Sequence, residues 1–102
     1  MQVGGFDWDD ANTDKCCKHG LTVSAIEAVF RGRPAVHPDP QHSNRETRFR
    51  AIGRTAEGRW AFVVFTWRQR DGLRLVRPIS ARYMHQKEVE SYERQAEAPA
   101  GP

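Results

Sequence analysis

Two kinds of side chain in this sequence can hold a phosphate and move a proton beside it: arginine and histidine. Ten of the thirteen arginines fall between residues 45 and 82, where only Glu46, Glu57 and Asp71 are acidic. A guanidinium stays charged at any working pH and presents paired N–H donors that fit a phosphate. The histidines are His19, His37, His42 and His85. Imidazole can serve as general acid or base near neutrality. His42 stands just ahead of Arg45 and Arg48, and His85 just after Arg82. Arginine on a solvated sheet face and histidine in a surface loop are equally ordinary, so pattern alone leaves both readings open.

A zinc site is the competing chemistry. Cys16, Cys17, His19, His37 and His42 supply the right atoms, but there is no second C-x-x-C and no H-x3-H. No metal or other cofactor is expected. Phosphate-binding loops, G-x-S-x-G elbows and dinucleotide fingerprints are also missing.

The arginines must be positioned by strands. Phe49, Ala51 and Gly53 alternate with Arg48, Arg50, Ile52 and Arg54, so a strand over 45–55 puts three arginines on one face. A tight turn at 56–58 returns the chain antiparallel. The next strand, 59–68, is apolar on both faces, with Phe62 and Val64 on one and Val63 and Phe65 on the other. It reads as the central strand. Trp60 and Trp67 within it suit a core, or base stacking. A turn at 69–72 leads to a third strand, 73–82, where Pro78 cannot donate to a ladder and demands an edge or a bulge.

Helices flank these strands. Val3, Phe6 and Trp8 suit an edge strand or an apolar anchor. Asp7, Asp9 and Asp10 can cap a helix over 10–19 that ends at Gly20. Thr22 can cap a second helix, Ser24 and Glu27 have capping-box spacing, and Val23, Ile26, Val29 and Phe30 share a face. Gly32 and Pro34 end it. Pro38 and Pro40 make 35–44 an edge or loop. A last helix over 83–94 carries the stripe Val89, Tyr92 and Ala96. The fold class is therefore α+β: two N-terminal helices, a small antiparallel sheet of three to four strands and a C-terminal helix. One domain over 1–95 is expected, with a disordered tail at 96–102.

With 102 residues, 38% of them hydrophobic and 28% charged, such a domain buries a modest core and favours a shallow surface site over a deep pocket. A net charge of +3 points to a polyanionic partner. Adjacent cysteines give no disulfide framework, which suits the cytoplasm. Neither a signal peptide nor a membrane span is expected.

Four blocks, FDWDDANTDKCCKHGLT, PDPQHSNRETRFRAIGRTAEGR, VVFT and RPISARYMHQKEVESYE, together closely resemble the BrnT toxins of type II toxin–antitoxin pairs. The resemblance covers about residues 6–93. It implies a RelE-like fold and a metal-independent endoribonuclease that inhibits translation. The implied partners are RNA, on or off the ribosome, and a BrnA-like ribbon-helix-helix antitoxin. Operator DNA would be met only through that antitoxin.

The positions matching the family's polar motifs are Lys18, His19, His42, Arg48, Arg54, Arg59, Arg82 and His85. The expected reaction is attack of a 2′-hydroxyl on the adjacent phosphorus. Arg48, Arg54 and Arg82 would neutralise the phosphorane, His42 or Glu46 would be the base, and His85 the acid. Lys18, His19, Arg59, Arg68 and Trp67 would contact RNA. Thr47 stands where many relatives carry an acid, leaving Glu46 as the nearby carboxylate. Arg50, Arg70, Arg74 and Arg77 lack motif support and would steer RNA or face the antitoxin. The alternative is a non-catalytic RNA- or protein-binding module, a degenerate toxin kept as an antitoxin scaffold.

Overall fold

A computed structural model describes residues 3–42 and 45–97. The first helix, α1 (Asp10–Cys17), starts where the aspartates allow it. Asp9 is the N-cap, its side chain accepting from the Asn12 backbone N–H, while the Asn12 side chain accepts from the Asp9 N–H at 2.7 Å. Asn12 is buried, and its Nδ2 donates to the carbonyls of Asp7 and Pro78, both at 2.9 Å. That side chain fastens α1 to the sheet.

The second helix, α2 (Val23–Arg31), is capped by Thr22, whose hydroxyl accepts from the Ala25 N–H at 3.0 Å. The alternative Ser24–Glu27 box does not form. Ser24 already lies inside the first turn, and the Glu27 carboxylate accepts from Trp8 Nε1 at 3.0 Å and from Arg31 at 3.2 Å.

Strands β1 (Ala35–Pro38), β2 (Phe49–Arg54), β3 (Trp60–Arg70) and β4 (Leu73–Tyr83) form one antiparallel sheet in chain order. The long apolar strand, β3, lies between β2 and β4, as its two-sided hydrophobicity requires. β2 begins four residues later than the alternation suggests. Residues 45–48 leave the ladder: Glu46 reaches across to Arg68, and the Thr47 carbonyl accepts from the Thr66 hydroxyl at 2.8 Å. The β3–β4 turn narrows to Asp71 and Gly72, both at positive φ (53° and 77°), the backbone of a two-residue hairpin.

Pro78 produces both expected features. β4 is last in the strand order, and its register slips opposite Val64 and Phe65. Val64 faces Ser80 and Phe65 faces Pro78, so Ile79 is left without a partner on β3. The N-terminal segment then runs parallel to the outer side of β4, with Asp7 N–H donating to the Val76 carbonyl at 2.8 Å and Val76 N–H to Gly5 at 3.0 Å. β4 holds its ladder to Tyr83, opposite Ala61. The last helix, α3 (Gln86–Glu97), therefore starts and ends later than the pattern suggests, and residues 96 and 97 of the expected tail are helical. The remainder of the tail, 98–102, lies outside the described residues.

The core occupies one side of the sheet. Leu21 and Ile26, Val29 and Phe30 of α2 pack on Ala51, Val63, Phe65, Val76 and Ala81. Phe30 meets Phe65 edge-on at 5.0 Å and Phe6 at 5.8 Å. Gly53 lets α2 come close, since a Cβ there would sit 3.2 Å from both Val29 and Pro34. Among the described residues, no helix is long and apolar enough to cross a membrane.

Candidate active site

With α2 on one side of the sheet and α1 along its β4 edge, period two sends the alternate residues to the other side. Arg50 lies opposite Val64, and Val64 opposite Ser80; in the next row Ile52 lies opposite Phe62, and Phe62 opposite Arg82. All of these except Ile52 floor a hollow of about 380 Å³. His19, just beyond α1, and Gln41, in the short 3-10 turn Pro40–His42, wall it, and Glu88 of α3 closes one end.

Arg82 is fixed in this central hollow from two sides. Its guanidinium lies 5.0 Å from the Phe62 ring centroid, and its Nη1 and Nη2 donate to the two oxygens of Glu88 at 2.7 and 2.9 Å. Glu88 also accepts from the His85 backbone N–H at 2.9 Å. The Arg82 hydrogen bonds, then the His85 N–H, hold the Glu88 carboxyl down at about 2. In return Glu88 raises Arg82 above the usual guanidinium range. At neutral pH Glu88 is thus an ionised, weakly basic carboxylate filling the place of an anion on Arg82. Apart from this pair and Tyr92, which meets the Trp60 ring at 5.2 Å, α3 has little contact with the sheet among the described residues.

The other sequence-predicted residues are distributed more widely. Arg48, Glu46 and Arg68 share a second hollow. There Glu46 accepts from Arg68 Nη1 at 2.7 Å and pairs with Arg48 at 3.6 Å. The Arg68 hydrogen bond, above all, holds the Glu46 carboxyl below its ordinary range. Arg54 stacks on Trp60 at 4.7 Å, in a third depression with Tyr92 and Ile52. Arg59 covers the Tyr83 ring at 3.5 Å. Trp67 packs against Phe65, and its ring is covered by Arg74 at 3.8 Å, so it is scaffold rather than an open stacking surface. Lys18 is the exposed C-cap of α1. His85 is exposed beside Glu88. His42 ends the 3-10 turn, and its side chain lies outside the described residues.

Of the motif residues, the central hollow collects His19 and Arg82. It adds Arg50, Ser80, Gln41 and Glu88, none of which sequence reasoning singled out for the site. Arg50 carried a usable signal, because it shares the period-two face of Arg48 and Arg54. Glu88 carried none, since its contact depends on α3 folding back over the sheet. Among the described residues, no three His, Cys, Asp or Glu side chains gather as a metal site would require.

Residues 8–88 match the family model described as ribonuclease toxin, BrnT, of type II toxin–antitoxin system. No curated protein matches the chain. The matched stretch spans both helices of the core layer, all four strands and the chain as far as Glu88, so it contains the whole central hollow. With that much of its length matched, the chain belongs to the BrnT family of type II toxin–antitoxin ribonuclease toxins.

Proposed function

We propose that this protein is a metal-independent endoribonuclease that acts in the cytoplasm and inhibits translation. We propose further that a BrnA-like ribbon-helix-helix antitoxin neutralises it. The observation that carries the reading is the central hollow. In a chain of a ribonuclease toxin family, the sheet face opposite α2 sets Arg50, Arg82, Ser80 and His19 around a space of about 380 Å³.

The reaction needs a base for the 2′-hydroxyl, an acid for the leaving 5′-oxygen and cations for the phosphorane. The 2′-oxygen bonds to phosphorus as the P–O5′ bond breaks. The products are a 2′,3′-cyclic phosphate and a 5′-hydroxyl. Arg82 and Arg50 are assigned the phosphate, and Ser80 a hydrogen bond to it. His19, on the wall, takes the proton of the 2′-hydroxyl. His85, beside Glu88, gives one to the 5′-oxygen. Glu46 suits the base role less well, because Arg68 depresses its basicity. Arg48 and Arg54, in separate depressions, are assigned to the RNA strand on either side.

Glu88 must leave Arg82 when phosphate arrives. Both partners are more than a third exposed (39% and 36%), and such pairs contribute only about 0–1 kcal/mol. A phosphate with bidentate geometry can displace that carboxylate. The same occupied guanidinium would also suit a module that binds without turnover. Cleavage of single-stranded RNA by purified wild type, Arg82→Ala and His19→Ala separates the two. Loss of cleavage in folded variants supports the assignment. Full cleavage by both sinks it, and wild-type binding without any product favours the non-catalytic module.

A further inference from the structure

We infer a second anion site on the open face, adjoining the central hollow, that takes a backbone phosphate of the same RNA strand. This rests on the reading of that face as the RNA surface. The site is a hollow of about 230 Å³ into which Lys15 of α1, Arg48 ahead of β2, Arg68 of β3 and Arg77 of β4 all open, with Glu46 the one carboxylate in its wall among the described residues. Four cations from four separate segments converge there, and like charges so placed repel unless an anion offsets them.

The carboxylates nearby do not use up the donors. Glu46 bridges Arg68 and Arg48, while Arg77 is taken by Asp9 at 3.0 Å and Asp7 at 3.5 Å. Lys15 makes no ion pair among the described residues. Among the described residues Arg68 engages Glu46 and the Trp67 carbonyl through Nη1, which leaves Nη2 and Nε to a ligand. Stability does not account for the Glu46–Arg68 pair either. Its partners are 31% and 38% exposed, where an ion pair contributes little.

The layout identifies the ligand class. Ala11 and Lys15 of α1 wall the second hollow, and His19, two residues past the end of α1, walls the first, so α1 and the turn after it border both. On β4, Arg77 and the bulged Ile79 belong to the second hollow, and Ser80 and Arg82 to the first. On β3 the steps are Arg68 and Val64, about 13 Å apart at the rise of a strand. A single small anion cannot bridge that distance, whereas a sugar–phosphate chain crosses it with one phosphate in each hollow. Ile79 and Ala11 give the second hollow an apolar lining for a ribose. Arg48 is then a positioning residue, which grips the strand away from the bond that breaks.

The probe is a set of fluorescent 2′-O-methyl RNA oligonucleotides of two, four and six residues, which cannot be cleaved. Binding is titrated across a range of salt concentrations. Wild type should gain roughly tenfold in affinity from two residues to six. In Lys15→Ala/Arg68→Gln that gain should vanish, and the salt slope should be shallower by about 0.7, because one fewer phosphate is neutralised. Lys15→Ala alone, at an exposed side chain without an ion pair, guards against misfolding and should show a smaller change of the same sign. An unchanged length gain and slope in both variants overturns the second site. Cleavage of unmodified RNA is scored separately. If wild type never cleaves but the length gain behaves as stated, the anion site stands and the ribonuclease reading falls. If it cleaves and the length gain ignores the variants, the reverse holds.

Discussion

The two sides of the sheet are built from the same strands and differ most in charge. On the α2 side, Ala51, Val63, Phe65 and Val76 are fully buried. On the other side, Val64 and Thr66 are buried too, but Arg50 and Arg54 are exposed, and Arg68 and Arg82 half-buried. A one-residue alternation thus separates a side that supplies stability from the one to which we assign the chemistry. The helical side can be read as packing. The open side keeps its arginines near one another only because the packed side fixes the strands. Variants of the two sides should therefore fail in different assays.

The largest expected effect is on the packed side. Phe65→Ala removes a fully buried ring that touches Phe30, Phe49 and Trp67. It should lower unfolding free energy by about 3–5 kcal/mol in a urea titration. Arg82→Ala should do the converse. Cleavage should fall about 10²–10³-fold, with stability within about 0.5 kcal/mol of wild type. If Arg82→Ala instead unfolds the protein as severely as Phe65→Ala, the division between the sides is broken.

Gly53→Ala sharpens the same contrast at one backbone position. Its Cβ would press on Val29 and Pro34 at 3.2 Å, so a loss of about 1–3 kcal/mol in thermal unfolding is expected from overpacking. Equal or higher stability would mean that α2 can withdraw from β2.

The smallest effect concerns α3 and pH. The Glu88 carboxyl ordinarily titrates at 4.5 and is held at about 2 in the folded protein. The folded value is the lower one. The Arg82–Glu88 contribution is therefore complete above pH 4.5 and shrinks as pH falls from there towards 2, where the folded carboxyl takes its proton. α3 should loosen over that range, seen as a shift of the Trp60 indole NMR signal when Tyr92 leaves it. Glu88→Gln should show the loosened signal already at pH 7 and lose the acid transition. The same transition in Glu88→Gln as in wild type would assign it to other groups.

Much of this arrangement is legible in the residues, and the limits have physical causes. The alternation in 48–54, the two-sided apolar run in β3 and the interruption at Pro78 gave the sheet, its central strand and its bulge. Asp9 and Thr22 marked the helix starts. Grouping the arginines was harder. Period two assigns Arg48, Arg50 and Arg54 to one face, but only the pairing of Arg50 with Val64 and Val64 with Ser80 shows which of them joins Arg82. Helix–sheet docking hid Glu88 for the same reason. Trp67 was ambiguous because both of its candidate roles require an aromatic ring on a strand, and only the Arg74 guanidinium over that ring decides between them.

The end chemistry of the RNA product is the most direct test of the claim that side chains on the open face perform the cleavage. Purified protein is incubated with single-stranded RNA in excess EDTA, and the new ends are identified by mass spectrometry. The expected ends are 2′,3′-cyclic phosphate and 5′-hydroxyl, formed at the rate seen without EDTA and lost in Arg82→Ala. Ends bearing a 3′-hydroxyl and 5′-phosphate, or cleavage abolished by EDTA, would contradict it.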